Sequence, residues 1–244
     1  MTSMHESATP LPGVELSRVT GKLIVIEGPD ASGRSTQIAL LSKWIEQSGF
    51  SVVQVGLKRS MLVGQELEKA KQGNTLSPRT MSLFYAADFY DQMENAIVPA
   101  LYSGSVVIAD RYIFTLMARD LVRGTDQHWV ESLYSRALSP DAVYFLKVSA
   151  KNLALRTLTS RHRLDYWESG MDLSLSRDWF DCFGKYQHLM TRIFEKLEKT
   201  YHFKIIDADQ KISHVQHDLR SHIKKLLENE IYFKKAKTKH DAPA

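Results

Sequence analysis

A chain of 244 residues, 43% of them hydrophobic, can bury the core of one large domain or two small ones. Charged residues make up 25%, which excludes wholesale disorder, and a net charge of +4 suits an enzyme for anions without requiring nucleic acid as partner. A lone cysteine, Cys182, excludes an internal disulfide or a Cys-rich zinc site and fits a reducing compartment.

Residues 1–20 hold Pro10, Pro12 and Gly13 among small polar residues and no apolar run of signal-peptide length, so a flexible leader is expected. No stretch reaches membrane-spanning length, and a cytoplasmic protein without a membrane partner is expected. Five short apolar runs follow, at 23–26, 52–57, 106–109, 142–148 and 203–206. They are continuous rather than alternating, as in strands of a parallel sheet covered on both faces. Between them, Ile38, Leu41, Trp44 and Ile45 recur at helical spacing. So do Tyr186, Leu189, Met190, Ile193, Phe194 and Leu197, and then Ile212, Val215, Leu219, Ile223 and Leu226. Each stripe reads as a core face. Strands alternating with helices predict an α/β domain with right-handed crossovers, over 21–229. Residues 170–178 are weakly patterned and read as a loop or lid. The tail, 230–244, carries Lys234, Lys235, Lys237 and Lys239 and reads as a solvated end.

The strongest local signal is KLIVIEGPDASGRSTQ, residues 22–37. A buried strand runs into Gly28, Pro29, Asp30, Ala31, Ser32, Gly33, Arg34, Ser35 and Thr36, and a helical pattern follows. This is the spacing and setting of a phosphate-binding loop. Glycines let successive N–H groups point at one anion, and the helix start adds its positive end. Ser35 can offer its hydroxyl to Mg2+. The lysine usual after the second glycine is Arg34, a planar fork in place of a compact point charge. A turn that merely joins strand to helix, or a site that binds without turnover, are the alternatives.

Asp110, Arg111 and Tyr112 end the third run, where ligands gather in an open parallel sheet. Asp110 could order the waters of Mg2+ and Arg111 could fork onto a phosphate. Alone, the pair reads equally as a surface ion pair.

Taken together, these motifs resemble the thymidylate kinase family of nucleoside monophosphate kinases, across about 22–227. The phosphate loop matches, including its internal acid, here Asp30. RSMLVG at 59–64, LFYAAD at 83–88, ADRY at 109–112, SRHRLDYWE at 160–168 and IIDAD at 205–209 fall in family order. The resemblance implies a three-layer α/β/α fold with a five-stranded parallel sheet and a helical lid at about 157–178. It implies ATP and Mg2+ as cofactors, with Mg2+ near Ser35 and Asp110, partly through water. ATP would lie on 28–36, with adenine near Asp207 and Ala208. The acceptor would meet Asp30, Arg59, Tyr85 and Arg111, with Arg34, Arg111, Arg161 and Arg163 gathering charge and Arg156 assisting. A homodimer is also implied. The bland alternatives are a core role for Tyr85 and a solvated basic face for Arg156, Arg161 and Arg163.

The sequence departs from the family where it reads the base. Phe89 stands where an arginine is usual, Arg119 for a tyrosine and Asp120 for a glutamine. A carboxylate accepts hydrogen bonds only, so a base edge rich in donors suits Asp120 better than a carbonyl. Arg119 could meet a second anion or pair with Asp120, and Arg123 would thicken the positive field. The expected activity is ATP-dependent phosphorylation of a nucleoside monophosphate, dTMP to dTDP foremost. The alternatives are a kinase of another small anionic acceptor and an ATP-binding module with little turnover.

Overall fold

The computed structural model describes residues 11–73, 76–159 and 166–240. Five strands, β1 (Lys22–Glu27), β2 (Val52–Gly56), β3 (Val106–Asp110), β4 (Ala142–Lys147) and β5 (Lys204–Asp207), form one sheet in the order β2-β3-β1-β4-β5. Every pairing is parallel. The expected α/β architecture is present, and each strand lies within a residue or two of its apolar run.

Although the runs are continuous, the pleat still sorts them. Leu23, Val25, Val107, Ala109, Val143 and Phe145 join one core; Ile24, Ile26, Val106, Ile108, Tyr144 and Leu146 join the other. The first core is covered by α3 (Pro78–Gln92), α4 (Val98–Tyr102), α5 (Ile113–Val122), α6 (Gln127–Leu133) and α8 (Trp179–Tyr201), with Leu67 of α2 (Gly64–Gly73) at its margin. The second lies under α1 (Arg34–Gln47) and α9 (Ile212–His240). These are the three layers the resemblance implied.

Local departures have local causes. Ser77 caps α3 by accepting from the Thr80 N–H, with Pro78 at the first helical position. Pro99 has no N–H to return to the carbonyl four residues back, and the chain widens into a π turn at Met93–Ile97 before α4. The α9 stripe is shifted: Ile212 is exposed at the helix start, and Leu227 rather than Leu226 is fully buried. Strand β5 is an edge, so Ile205 is half exposed although its run looks fully buried. Residues 11–20 are packed rather than loose. Leu11, Val14, Leu16 and Val19 lie against the core, and the Glu15 N–H donates to the Tyr102 hydroxyl. Helix α9 continues through the tail region as far as His240. Among the described residues no helix is long and apolar enough to cross a membrane.

Candidate functional site

The loop after β1 has the backbone its sequence requires. Gly28 sits at φ +150°, and a Cβ there would lie 3.0 Å from both the Leu146 carbonyl oxygen and Ser32 Oγ. Gly33 takes the left-handed conformation at the N-cap of α1. Ala31 is also left-handed, at φ 61°. Ser32 is buried, and its hydroxyl has no protein partner. Ser35 and Thr36 are exposed on the first turn of α1, whose unpaired N–H groups form the floor of an anion cradle.

At the carboxyl ends of β1 and β3, two carboxylates meet three guanidiniums. Arg34 Nε donates to Asp110 Oδ1 at 2.8 Å, and Nη1 donates to the carbonyls of Gly28 and Pro29. Its Nη2 lies 3.8 Å from Asp30 Oδ1. Arg34 therefore spans the loop from within, where a lysine could make only point contacts. Arg111 Nη2 donates to Asp30, while its buried Nε has no protein partner. Arg59 Nη2 reaches Asp110 Oδ2 at 3.8 Å. Burial would push the Asp30 carboxyl up, but Arg111, Arg34 and Arg119 outweigh it and hold Asp30 at about 2. The cluster retains spare positive charge, which suits a polyphosphate.

Two buried carboxylates that the sequence did not single out hold this geometry. Glu27, fully buried, accepts from the Tyr112 N–H (3.0 Å), the Thr115 N–H (3.2 Å) and the Thr115 hydroxyl (2.6 Å). It caps α5 from the end of β1 and fixes the turn in which Arg111 adopts φ 71°, a left-handed backbone that non-glycine residues seldom adopt. Burial raises the Glu27 carboxyl, against the pull of the Thr115 and Tyr112 hydrogen bonds. Asp88 accepts from the N–H groups of Lys58 (2.8 Å) and Ser60 (2.9 Å), which presents Arg59 between them. The only sequence signal for either was an acid inside an apolar stretch.

Beside this cluster, the Tyr85 hydroxyl receives Arg119 Nη1 at 3.1 Å. Phe89, one turn later, points away from this wall. It is 4% exposed and packs edge-on against Tyr90, Tyr112 and Tyr134. Arg119 does not pair with Asp120; its other neighbour is Glu168, 3.9 Å away. Asp120 accepts from the Ser82 hydroxyl instead. Arg123 adds no free charge to the field, because Asp172 neutralises it through two bonds of 2.7 and 2.9 Å. It also donates to the Trp167 carbonyl at 3.0 Å, so residues 166–172 are strapped onto α5.

Arg156, on α7 (Ala150–Thr159), donates to the carbonyls of Ser32 (3.4 Å) and Ala208 (2.8 Å). It clips the phosphate loop to the turn after β5, where Ala208 is buried and Asp207 exposed. Arg161 and Arg163 lie outside the described residues. A cavity of about 200 Å³ opens beside the loop, with Asp30, Arg111 and Arg119 on its polar side and Phe145, Phe183 and Phe194 on its apolar side.

Comparison with known proteins agrees with this geometry. The family model described as thymidylate kinase matches residues 26–219. A protein named probable thymidylate kinase 2 from Saccharolobus solfataricus is 35% identical over 212 residues, covering 86% of this chain and 99% of its own. A probable thymidylate kinase from Thermococcus gammatolerans is 30% identical over 209 residues, covering 82% and 94%. A thymidylate kinase from the bacterium Clavibacter sepedonicus is 33% identical over 158 residues, covering 62% and 74%. With its parallel sheet, its phosphate loop and the Asp-Arg pair ending β3 all in place, the chain belongs to the thymidylate kinase family.

Proposed function

We propose that this protein transfers the γ-phosphoryl group of ATP to a nucleoside monophosphate, with dTMP as acceptor and dTDP and ADP as products. The observation that carries it is the convergence of Asp30, Arg34, Asp110 and Arg111 on the mouth of the phosphate loop.

The residues present fit a polyphosphate. A Cβ at Gly28 would be crowded and strained, the Ser32 hydroxyl is buried without a protein partner, and the start of α1 offers its N–H groups. A divalent ion would be held by Ser35 and, partly through water, by Asp110; when bound, Mg2+ supplies neutralisation of the phosphate charges. The chain's own residues do the rest. Arg111 and Arg59 hold the acceptor phosphate, and Asp30 keeps Arg111 turned toward it. An acceptor phosphate oxygen forms a bond to the γ-phosphorus while the bond to the β-bridging oxygen breaks. No general base is required, because a nucleotide phosphate is largely ionised near neutral pH. Arg156 with Asp207 and Ala208 frames the nucleoside end of ATP, and Arg161 and Arg163 complete the charge around the transferring group.

The domain at 21–229 with a lid at about 157–178, a homodimeric assembly, a cytoplasmic setting and the absence of a nucleic-acid partner belong to the same proposal, on the family likeness. Sedimentation of the purified protein checks the dimer. A second possibility is an ATP-binding module with little turnover, favoured by the commitment of Arg34 to Asp110 and to the loop carbonyls. ADP release from Mg-ATP with and without dTMP separates the two. Acceptor-dependent ADP is expected, and tight ATP binding with no such ADP would sink the kinase assignment.

A further inference from the structure

The two carboxylates of the cluster are each shared between the donor loop and the acceptor side. Asp110 gives Oδ1 to Arg34 Nε at 2.8 Å, while its Oδ2 faces Arg59 Nη2 at 3.8 Å. Asp30 accepts from Arg111 with Oδ1, and the same oxygen lies 3.8 Å from Arg34 Nη2. Arg34 therefore touches both carboxylates, whereas Arg59 reaches Asp110 and Arg111 reaches Asp30.

The three guanidiniums differ in how firmly they are held. The Arg34 side chain is 11% exposed and the Arg59 side chain 46%. Arg34 is pinned further by the carbonyls of Gly28 and Pro29. The backbone around Arg59 is fixed, because Asp88 accepts from the N–H groups on either side of it, at Lys58 and Ser60. Its Nε passes over the end of β2, where a Cβ on Gly56 would lie 3.4 Å away. Its guanidinium end is left to choose between Asp110 and an incoming anion. At 3.8 Å and half exposed, the pair with Asp110 is a weak one. It stays weak because Arg34 neutralises Asp110 from the other side. An uncompensated Asp110 would draw Arg59 inward, since attraction between opposite charges strengthens as they approach and leave water.

We infer that Arg34 is a positioning residue for the acceptor as well as a member of the donor loop: by neutralising Asp110 it keeps the Arg59 guanidinium free for the acceptor's phosphate. A lysine would retain the charge but not the reach. One ammonium cannot hold Asp110 and both loop carbonyls at once, so Asp110 would recover part of its charge and turn it on Arg59. The inference rests on the phosphotransferase function proposed above. It gives the donor loop a hold on the acceptor's grip before any ATP binds.

The test uses the full-length protein. Binding of dTMP is followed by calorimetry in buffer free of ATP and of divalent ions, and ADP release from Mg-ATP is measured beside it. Arg34→Lys should weaken dTMP binding about fivefold although ATP is absent. The same change made on Asp110→Asn, where no carboxylate is left to capture Arg59, should alter dTMP binding less than about twofold. Made on Arg59→Ala, it should again alter it less than about twofold. Unchanged dTMP binding on Arg34→Lys in the parent would overturn the inference and confine Arg34 to ATP. A loss that persists undiminished in Asp110→Asn or Arg59→Ala would overturn it too, by tracing the effect to the shape of the loop or to the general field.

If a thermal melt shows that Arg34→Lys does not fold, Asp110→Asn decides alone. It should tighten dTMP binding about threefold in the parent and less than about 1.5-fold in Arg59→Ala, and equal tightening in both would overturn the inference. A parent that binds no dTMP without ATP would also overturn it, leaving the kinase to the ADP assay. Absence of acceptor-dependent ADP release would overturn the kinase, and the binding comparison would still decide the role of Arg34.

Discussion

The donor side and the acceptor wall are built on different principles. At the loop of 28–36, charge meets charge: Arg34 is shared among Asp110, Asp30 and two carbonyls, and Arg111 is held by Asp30. The wall made by α3, α5 and 166–172 is mostly apolar and buried, with Arg123 neutralised by Asp172 within the fold. Phosphate is the same in every nucleotide, so the donor side can be rigid and generic. Bases differ, so under the proposed function the wall is where a base would be read. Changes on the donor side should strike turnover, and changes in the wall should strike stability or choice.

Arg111→Ala should have the largest effect, lowering kcat/KM by about 10²- to 10³-fold, since a preorganised cation at the transferring group is lost. Steady-state kinetics beside a thermal melt check it. Loss of fold with retained specific activity would break the contrast.

Asp30→Asn should cost about 10²-fold in kcat/KM and leave a signature in acid. The folded carboxyl is held at about 2, below its ordinary value of 3.8. A lowered carboxylate stabilises the fold fully above the unfolded pKa, and the contribution fades as pH falls from about 4 toward 2. The parent should therefore lose more melting temperature over that window than Asp30→Asn does.

Arg34→Lys should weaken ATP use by roughly tenfold, because lysine cannot hold Asp110 and the two loop carbonyls together. A clear gain in activity would show that the arginine marks a declining site.

Asp172→Asn tests the wall. Stripping one partner from the buried pair with Arg123 should destabilise the protein by about 3 kcal/mol, a fall in melting temperature of roughly 6–12 °C. Turnover at saturating dTMP should change far less than with Arg111→Ala. Phe89→Leu should do least: about 1 kcal/mol from the aromatic cluster and no change in acceptor preference. A changed preference would return Phe89 to the site.

The fold was legible because parallel strands buried on both faces leave unbroken apolar runs, and the loop of 28–36 because its chemistry demands glycines at fixed spacing. The acceptor wall was legible only in part. Tyr85 and Phe89 share a helix face at i, i+4 and both are buried in the first core, yet Tyr85 carries its hydroxyl to Arg119 while Phe89 packs edge-on against Tyr112 and Tyr134. Arg123 looked like free charge because its partner, Asp172, is 49 residues away. Glu27 and Asp88 looked like ordinary acids because nothing local records that each binds backbone N–H groups far along the chain. Periodicity finds faces and motifs find loops, but neither tells which long-range partner a charge will take.

Glu27 has a wider consequence. It is the last residue of β1, which delivers the phosphate loop, and it holds the turn after β3 that contains Arg111 and the first turn of α5, which carries Arg119 and Asp120. The phosphate loop and the turn that holds Arg111 are thus joined through one buried, hydrogen-bonded carboxylate. A lineage can then rework the outer turns of α3 and α5 to admit a new base without altering the line of flight of the phosphoryl group.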